Sequence, residues 1–184
     1  MVPLTNGLAV WFSGYPGAGK STLARLVATR LRAEGYVAIC LDGNDLLERL
    51  APDLGFVTFE QKEATIRRLS YVAKLGVEGG AIVLIPFIAP SRAAREAARS
   101  EIDRVVEVFV DCPLDLCMKR DPSGRYAAAQ AESRMLGGAA TFQPPANPDI
   151  IVKTGEGDTP DHSAARILEA LSNMGYVRTS AKAS

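Results

Sequence analysis

The chain has 184 residues, 47% hydrophobic and 23% charged, the balance of a globular protein able to bury a sizeable core. Lys plus Arg equals Asp plus Glu at 21 each, so no net field draws it to nucleic acid or to a membrane surface. No apolar run approaches the roughly 18 residues of a membrane span, and the first residues lack the basic start and apolar stretch of a secretory signal.

Leu8-Ala9-Val10-Trp11-Phe12 is a continuous apolar run and predicts a buried first strand. Directly after it, Gly14-Tyr15-Pro16-Gly17-Ala18-Gly19-Lys20-Ser21-Thr22 fits the phosphate-loop pattern, with its fixed positions at Gly14, Gly19, Lys20 and Ser21. Leu23, Leu26, Val27 and Leu31 follow at helical spacing. A glycine-rich turn that merely caps a helix is the bland alternative. Against it stands the chemistry of the pattern. Glycines let successive amides converge on phosphate oxygens, and the helix adds the positive end of its dipole. Lys20 supplies a charge for the β- and γ-phosphates, and the Ser21 hydroxyl is a ligand for Mg²⁺. A nucleotide carrying β- and γ-phosphates, with Mg²⁺, is therefore the expected ligand.

Gly35 predicts a helix end and Val37-Ala38-Ile39-Cys40-Leu41 a second strand, which runs into Asp42-Gly43-Asn44-Asp45 at the carboxyl edge where open α/β sheets place ligands. A short helix is expected over 46–50, broken at Pro52, then a turn that presents Phe56. A longer helix is expected over about 59–78, with Ile66, Leu69, Ala73 and Val77 inward and Arg67 and Arg68 sideways. Residues 81–87 predict a third strand. Pro90-Ser91 opens a helix whose Arg92, Arg95 and Arg99 are expected to face mostly outward. Residues 105–110 predict a fourth strand ending on Asp111 and Cys112, and Pro113 starts a helix that stops at Arg120-Asp121-Pro122.

The stretch 122–148 shows no convincing period, holds several Gly and Pro, and is expected to be a lid. Ile150-Ile151-Val152 predicts a short fifth strand. Thr159 as N-cap and Pro160 in the first turn open the last helix, on which Ile167, Leu168 and Leu171 recur. The tail 177–184 is small and polar and is expected to fray. Cys40, Cys112 and Cys117 carry no metal spacing and read as reduced, mostly buried thiols of a cytoplasmic protein. His162, the single histidine, reads as a surface residue.

Strands alternating with helices predict an α/β fold, a five-stranded parallel sheet with helices on both faces. With the phosphate loop after the first strand, this is a three-layer P-loop kinase-like fold, read as one domain over 1–184.

Over nearly its whole length the chain resembles the adenylyl-sulfate (APS) kinases. The matching pieces include Trp11-Phe12-Ser13-Gly14, Leu41-Asp42-Gly43, Asp53-Leu54-Gly55-Phe56 and Ile66-Arg67-Arg68. Val72-Ala73-Lys74-Leu75, Phe87-Ile88-Ala89-Pro90, Val108-Phe109-Val110-Asp111, Arg120-Asp121-Pro122 and Asn147-Pro148-Asp149-Ile150 match as well. The resemblance implies transfer of the ATP γ-phosphoryl, with Mg²⁺, to the 3′-hydroxyl of APS to give PAPS, by a homodimer. It implies an ATP site at Gly14, Tyr15, Pro16, Gly17, Ala18, Gly19, Lys20, Ser21 and Thr22, with Arg120 and Thr154 beside the adenine. Asp42 matches a carboxylate that holds a Mg²⁺-bound water or accepts the acceptor's proton, so Lys20 and Asp42 are the implied catalytic pair, and Ser21 and Asp42 the implied metal site. Phe56 matches an aromatic that stacks on the acceptor base, and Ile88 and Ala89 match the lining of the acceptor pocket; Arg67 is implied there too.

Departures cluster on that acceptor side. Asn44 replaces the second carboxylate of L-D-G-D, Leu47 and Lys62 stand where the family has arginines, and Thr65 replaces an asparagine. The lid segment Ser133-Arg134-Met135-Leu136-Gly137 lacks the family's stacking Phe. Three readings stay open: an APS kinase, a relative redirected to another nucleotide such as a cytidine diphosphoramidate-type acceptor, and a catalytically weak nucleotide-binding module.

Overall fold

A computed structural model describes residues 6–42, 49, 59–89, 91–120, 124, 126 and 142–178, the side chains of 59, 60 and 62 excepted. All but residue 49 of the expected short helix over 46–50, Asn44, Leu47, the turn carrying Phe56, and most of the expected lid lie outside these residues.

Five parallel strands form one sheet in the order β2-β3-β1-β4-β5: β1 (Leu8–Ser13), β2 (Ala38–Cys40), β3 (Ile82–Pro86), β4 (Val105–Asp111) and β5 (Ile150–Lys153). The helices are α1 (Lys20–Ala33), α2 (Phe59–Glu78), α3 (Arg92–Glu101), α4 (Leu114–Arg120) and α5 (Pro160–Asn173). All six residues of β1 are buried, as a central parallel strand covered on both faces requires.

The side-chain period of two sorts the core into two layers. Leu8, Val10 and Phe12 of β1, with Ile82 and Leu84 of β3 and Val106, Val108 and Val110 of β4, pack against Leu23, Val27 and Leu31 of α1 and Ile167 and Leu171 of α5. Ala9 and Trp11, with Val83 and Ile85, pack on the other side against Ile66, Leu69, Ala73 and Val77 of α2 and Ala94 and Ala98 of α3. The inward stripe read from α2 is buried as expected, and Arg67 and Arg68 are exposed.

The topology fixes where a ligand can sit. β1 is flanked by β3 on one side and β4 on the other. The strand order reverses beside β1, and the crevice at such a switch point opens beyond the carboxyl ends. Phe12 pairs with Pro86, Ser13 with Phe109, Cys40 with Leu84 and Asp111 with Lys153. The registers therefore bring Gly14, Asp42, Phe87 to Ala89, Cys112 and Thr154 to one edge.

Two expectations need correction. Arg95 does not face outward: it is 5% exposed, because α3 turns this position under the sheet edge toward Glu107. Val177 and Arg178, at the start of the stretch expected to fray, are held. Val177 is buried, and the Arg178 amide donates to Tyr36 Oη at 2.6 Å.

Candidate active site

The loop between β1 and α1 turns on three glycines with positive φ, Gly14 at 147°, Gly17 at 78° and Gly19 at 98°. Two of them are also fixed by what lies behind. A Cβ on Gly14 would come within 2.6 Å of the Val110 carbonyl oxygen, and one on Gly17 within 2.6 Å of that of Cys117. The loop is thus pressed flat onto the end of β4 and the middle of α4. At Gly19 a Cβ would meet nothing within 4 Å, so the outer side of the loop is open there. Gly19 is the N-cap of α1 and provides no side-chain acceptor, which leaves the positive end of the helix facing the loop.

Lys20 is 7% exposed and folds back over the loop, its Nζ donating to the carbonyls of Gly14 at 2.9 Å and Tyr15 at 2.7 Å. Tyr15, Pro16 and Gly17 are half-buried, Ala18 is buried, Ser21 is half-buried and Thr22 is exposed. Thr154, just past β5, is buried; its hydroxyl donates to the Ala18 carbonyl at 3.0 Å and its amide to the Asp111 carbonyl at 3.0 Å. Arg120, at the end of α4, is exposed and extends Nη1 toward Cys112 Sγ at 3.7 Å. Cys117 lies fully buried under Gly17. Burial, then the neighbouring Cys112, push its thiol pKa up to about 12, so it is protonated packing and not a nucleophile.

Asp42 follows β2, where Leu41 still bonds the Leu84 carbonyl at 2.8 Å. Its carboxylate is 7% exposed and Oδ2 accepts from Arg25 Nη2 at 2.6 Å. Arg25 is not among the site residues expected from the sequence. The available signal was its position four residues after Ser21, one helical turn along the same face of α1. Ser21 and Asp42 offer hard oxygen donors, the kind Mg²⁺ takes alongside phosphate oxygens, so the residues present fit that ion.

On the acceptor side, Ile88 is half-buried and Ala89 buried, Arg67 is exposed, and Thr65 is buried with its hydroxyl donating to the Gln61 carbonyl at 2.8 Å. The backbone of Lys62 lies in α2, one turn before Ile66. Arg95 holds this region from below. It donates to the Ala89 carbonyl at 2.7 Å and to the Gln143 carbonyl at 2.6 Å. Its Nε lies 3.0 Å from Glu107 Oε1, near enough to pair the charges but not aligned as a hydrogen bond. Burial lowers the pKa of this guanidinium from its ordinary value, with Glu107 opposing the shift.

The guanidinium also lies 5.6 Å from the centroid of Phe142, whose ring is 5.0 Å from Tyr15 and 6.3 Å from Phe109. Phe142 is 5% exposed, so the end of the expected lid is anchored at the phosphate loop. Tyr126 anchors a second point of that stretch, donating from its hydroxyl to the Pro16 carbonyl at 2.9 Å. Neither Phe142 nor Tyr126 was visible as a site residue in the sequence.

Comparison with known proteins identifies the family. The family model for adenylylsulphate kinase matches residues 6–153. The chain is 42% identical over 174 residues to an adenylyl-sulfate kinase of Halothermothrix orenii, covering 94% of this chain and 93% of that one. Its fold superposes with a TM-score of 0.83 on the Mycobacterium tuberculosis APS kinase solved with AMPPNP and APS, at 37% identity, covering 92% of this chain and 99% of the other. A hexameric APS kinase from Thiobacillus denitrificans matches with a TM-score of 0.72 at 28% identity, over 95% of this chain and 30% of that longer one. A strand, a phosphate loop and a helix are common to many nucleotide-binding proteins. The match here runs on through the Asp42 edge and the strands beyond it, and on that breadth the chain belongs to the adenylyl-sulfate kinase family, phosphotransferases with an alcohol acceptor.

Proposed function

We propose that this chain transfers the γ-phosphoryl group of ATP to the 3′-hydroxyl of adenylyl sulfate, giving PAPS and ADP. The observation that carries the reading is the convergence of Lys20, Ser21 and Asp42 at one sheet edge, in a chain whose fold matches an APS kinase solved with AMPPNP and APS.

In the reaction the bond from the acceptor 3′-oxygen to the γ-phosphorus forms, the bond from that phosphorus to the β,γ-bridging oxygen breaks, and the hydroxyl proton is lost. The transition state is loose and asks mainly for positioning and charge stabilisation. Loop amides and the N-terminus of α1 cradle the β- and γ-phosphates, and Lys20 exchanges its loop carbonyls for phosphate oxygens. Mg²⁺, when bound by the Ser21 hydroxyl and near Asp42, supplies neutralisation of the phosphate charge. Asp42 orients or accepts the proton of the incoming hydroxyl, and Thr154 and Arg120 bound the far end of the loop, where the adenine rests. Ile88 and Ala89 line the acceptor pocket with Arg67 and Thr65; Asn44, Phe56 and Lys62 are assigned to the same acceptor on the resemblance alone.

The same proposal includes self-association into a homodimer in the cytoplasm. Its support is an exposed apolar edge, with Val37 and Ile39 at β2 and Tyr71 and Leu75 on the neighbouring turns of α2. The three thiols carry no disulfide among the described residues, as a reducing compartment maintains. Light scattering on the purified chain measures the assembly.

The activity is tested by ADP release from ATP with APS, run beside cytidine- and uridine-based diphosphate acceptors, with the product located by NMR at the ribose. Turnover of APS to the 3′-phosphate supports the assignment. Turnover confined to another acceptor, or ATP binding without any transfer, overturns it.

A further inference from the structure

The contact between Arg25 and Asp42 has no counterpart in the phosphate loop or in the acceptor side described above. Asp42 is a nearly buried carboxylate, and such a group needs a counter-charge or several donors to remain in place. Arg25 Nη2 supplies one at 2.6 Å, short even for a charge-assisted bond. The two come from different elements, α1 and the segment after β2, and the contact spans 17 residues of sequence. Arg25 also lies one turn beyond Ser21 on the same face of α1. The helix that opens on Lys20 and Ser21 therefore also holds Asp42 in position.

We infer that Arg25 is a positioning residue for phosphoryl transfer, fixing the Asp42 carboxylate against the Ser21 face of α1. The inference rests on the role proposed above for Asp42. Reaching Asp42 uses only the tip of the Arg25 side chain, which is otherwise 64% exposed. Its removal therefore opens no cavity in the core and leaves the fold intact. What it removes is the charged contact that aims the carboxylate toward α1. A carboxylate held less closely spends less of its time aligned with the hydroxyl it serves, and that loss falls on the chemical step and not on nucleotide binding.

The test is a double-mutant cycle on the full chain, with kcat and KM measured for ATP and APS in saturating Mg²⁺. Arg25→Gln is expected to lower kcat about five- to tenfold, with both KM values within about twofold of the parent. Arg25→Lys is expected to recover only part of the loss, since an ammonium holds one oxygen without the planar fork of Arg. In an Asp42→Asn background, Arg25→Gln is expected to change kcat by less than about twofold, because the group it positions is gone. A loss in the Asn background equal to that in the parent overturns the inference, as does an unchanged or faster kcat for Arg25→Gln beside an impaired Asp42→Asn. An Asp42→Asn variant with full activity overturns instead the role of Asp42 itself. Thermal melting of each variant separates the two cases from a folding defect: a merely structural Arg25 lowers Tm and leaves kcat per folded molecule unchanged.

Discussion

Thr154 Oγ1 donates to the carbonyl oxygen of Ala18 at 3.0 Å, tying the end of β5 to the phosphate loop across 136 residues of sequence. Thr154 is 8% exposed and Ala18 fully buried, so neither group has water as a substitute partner. Thr154→Val keeps the shape and removes the donor, leaving the Ala18 carbonyl unsatisfied. The expected cost is about 1–2 kcal/mol in stability, and a rise of roughly three- to tenfold in KM for ATP as the loop loosens. Chemical denaturation and steady-state kinetics on one preparation measure both.

Lys20 places its ammonium 2.9 Å and 2.7 Å from the Gly14 and Tyr15 carbonyls, folded over the loop from which it would turn to phosphate oxygens. Lys20→Ala is expected to reduce turnover at least ~100-fold, the scale of removing one preorganised electrostatic stabiliser. Unchanged turnover by the purified variant would remove the phosphate loop from the mechanism.

Gly17→Ala tests the loop differently. Its φ of 78° disfavours a side chain, and the added Cβ would meet the Cys117 carbonyl oxygen at 2.6 Å. Strain of about 1–3 kcal/mol is expected, relieved by lifting the loop from α4. Weakened ATP binding in calorimetry, with a lower Tm, is the predicted pair of readouts; Gly19→Ala meets no such contact and is expected to show the φ penalty alone.

Arg95 and Glu107 form a buried pair, 5% and 8% exposed. Arg95→Met strands Glu107, leaving it among the described residues the longer contact to Arg99 at 3.8 Å, and releases the Ala89 and Gln143 carbonyls. A loss of about 3–5 kcal/mol, read as at least ~6 °C in Tm, is expected. Arg95→Lys is not expected to restore it, because one ammonium cannot span two carbonyls and a carboxylate in the geometry of the fork.

The buried Cys117 thiol makes a prediction about pH. In the folded chain it keeps its proton to about 12, whereas the unfolded chain releases it near the ordinary 9.0. The folded state therefore holds more protons in that window. This contribution to stability is fully present below 9.0 and is lost as pH rises toward 12. Denaturant unfolding at about pH 8 and about pH 10 should show a steeper fall for the parent than for Cys117→Ala.

What the sequence determined by itself is the part written in local pattern. Continuous apolar runs over 8–12 and 81–87, the glycine spacing ahead of Lys20, and the stripe of Ile66, Leu69, Ala73 and Val77 each depend on neighbours within a turn or a strand. They sufficed for the parallel α/β fold and for a glycine-bearing loop at the carboxyl end of the first strand. Side-chain direction on a charged helix was not legible in the same way. Three arginines at helical spacing on α3 look alike in sequence, yet Arg95 is buried because Glu107 on β4 and two loop carbonyls wait beneath it. Arg25 is a similar case: its place one turn after Ser21 marks only the face of α1 it lies on, and its meaning comes from a carboxylate that follows β2. Phe142 and Tyr126 sit in a segment without periodicity, and only tertiary contacts with Tyr15 and Pro16 give them a place. Hydrophobic period is a property of one element, while the partner of a buried charge or a loop aromatic belongs to another, and the fold alone brings the two together.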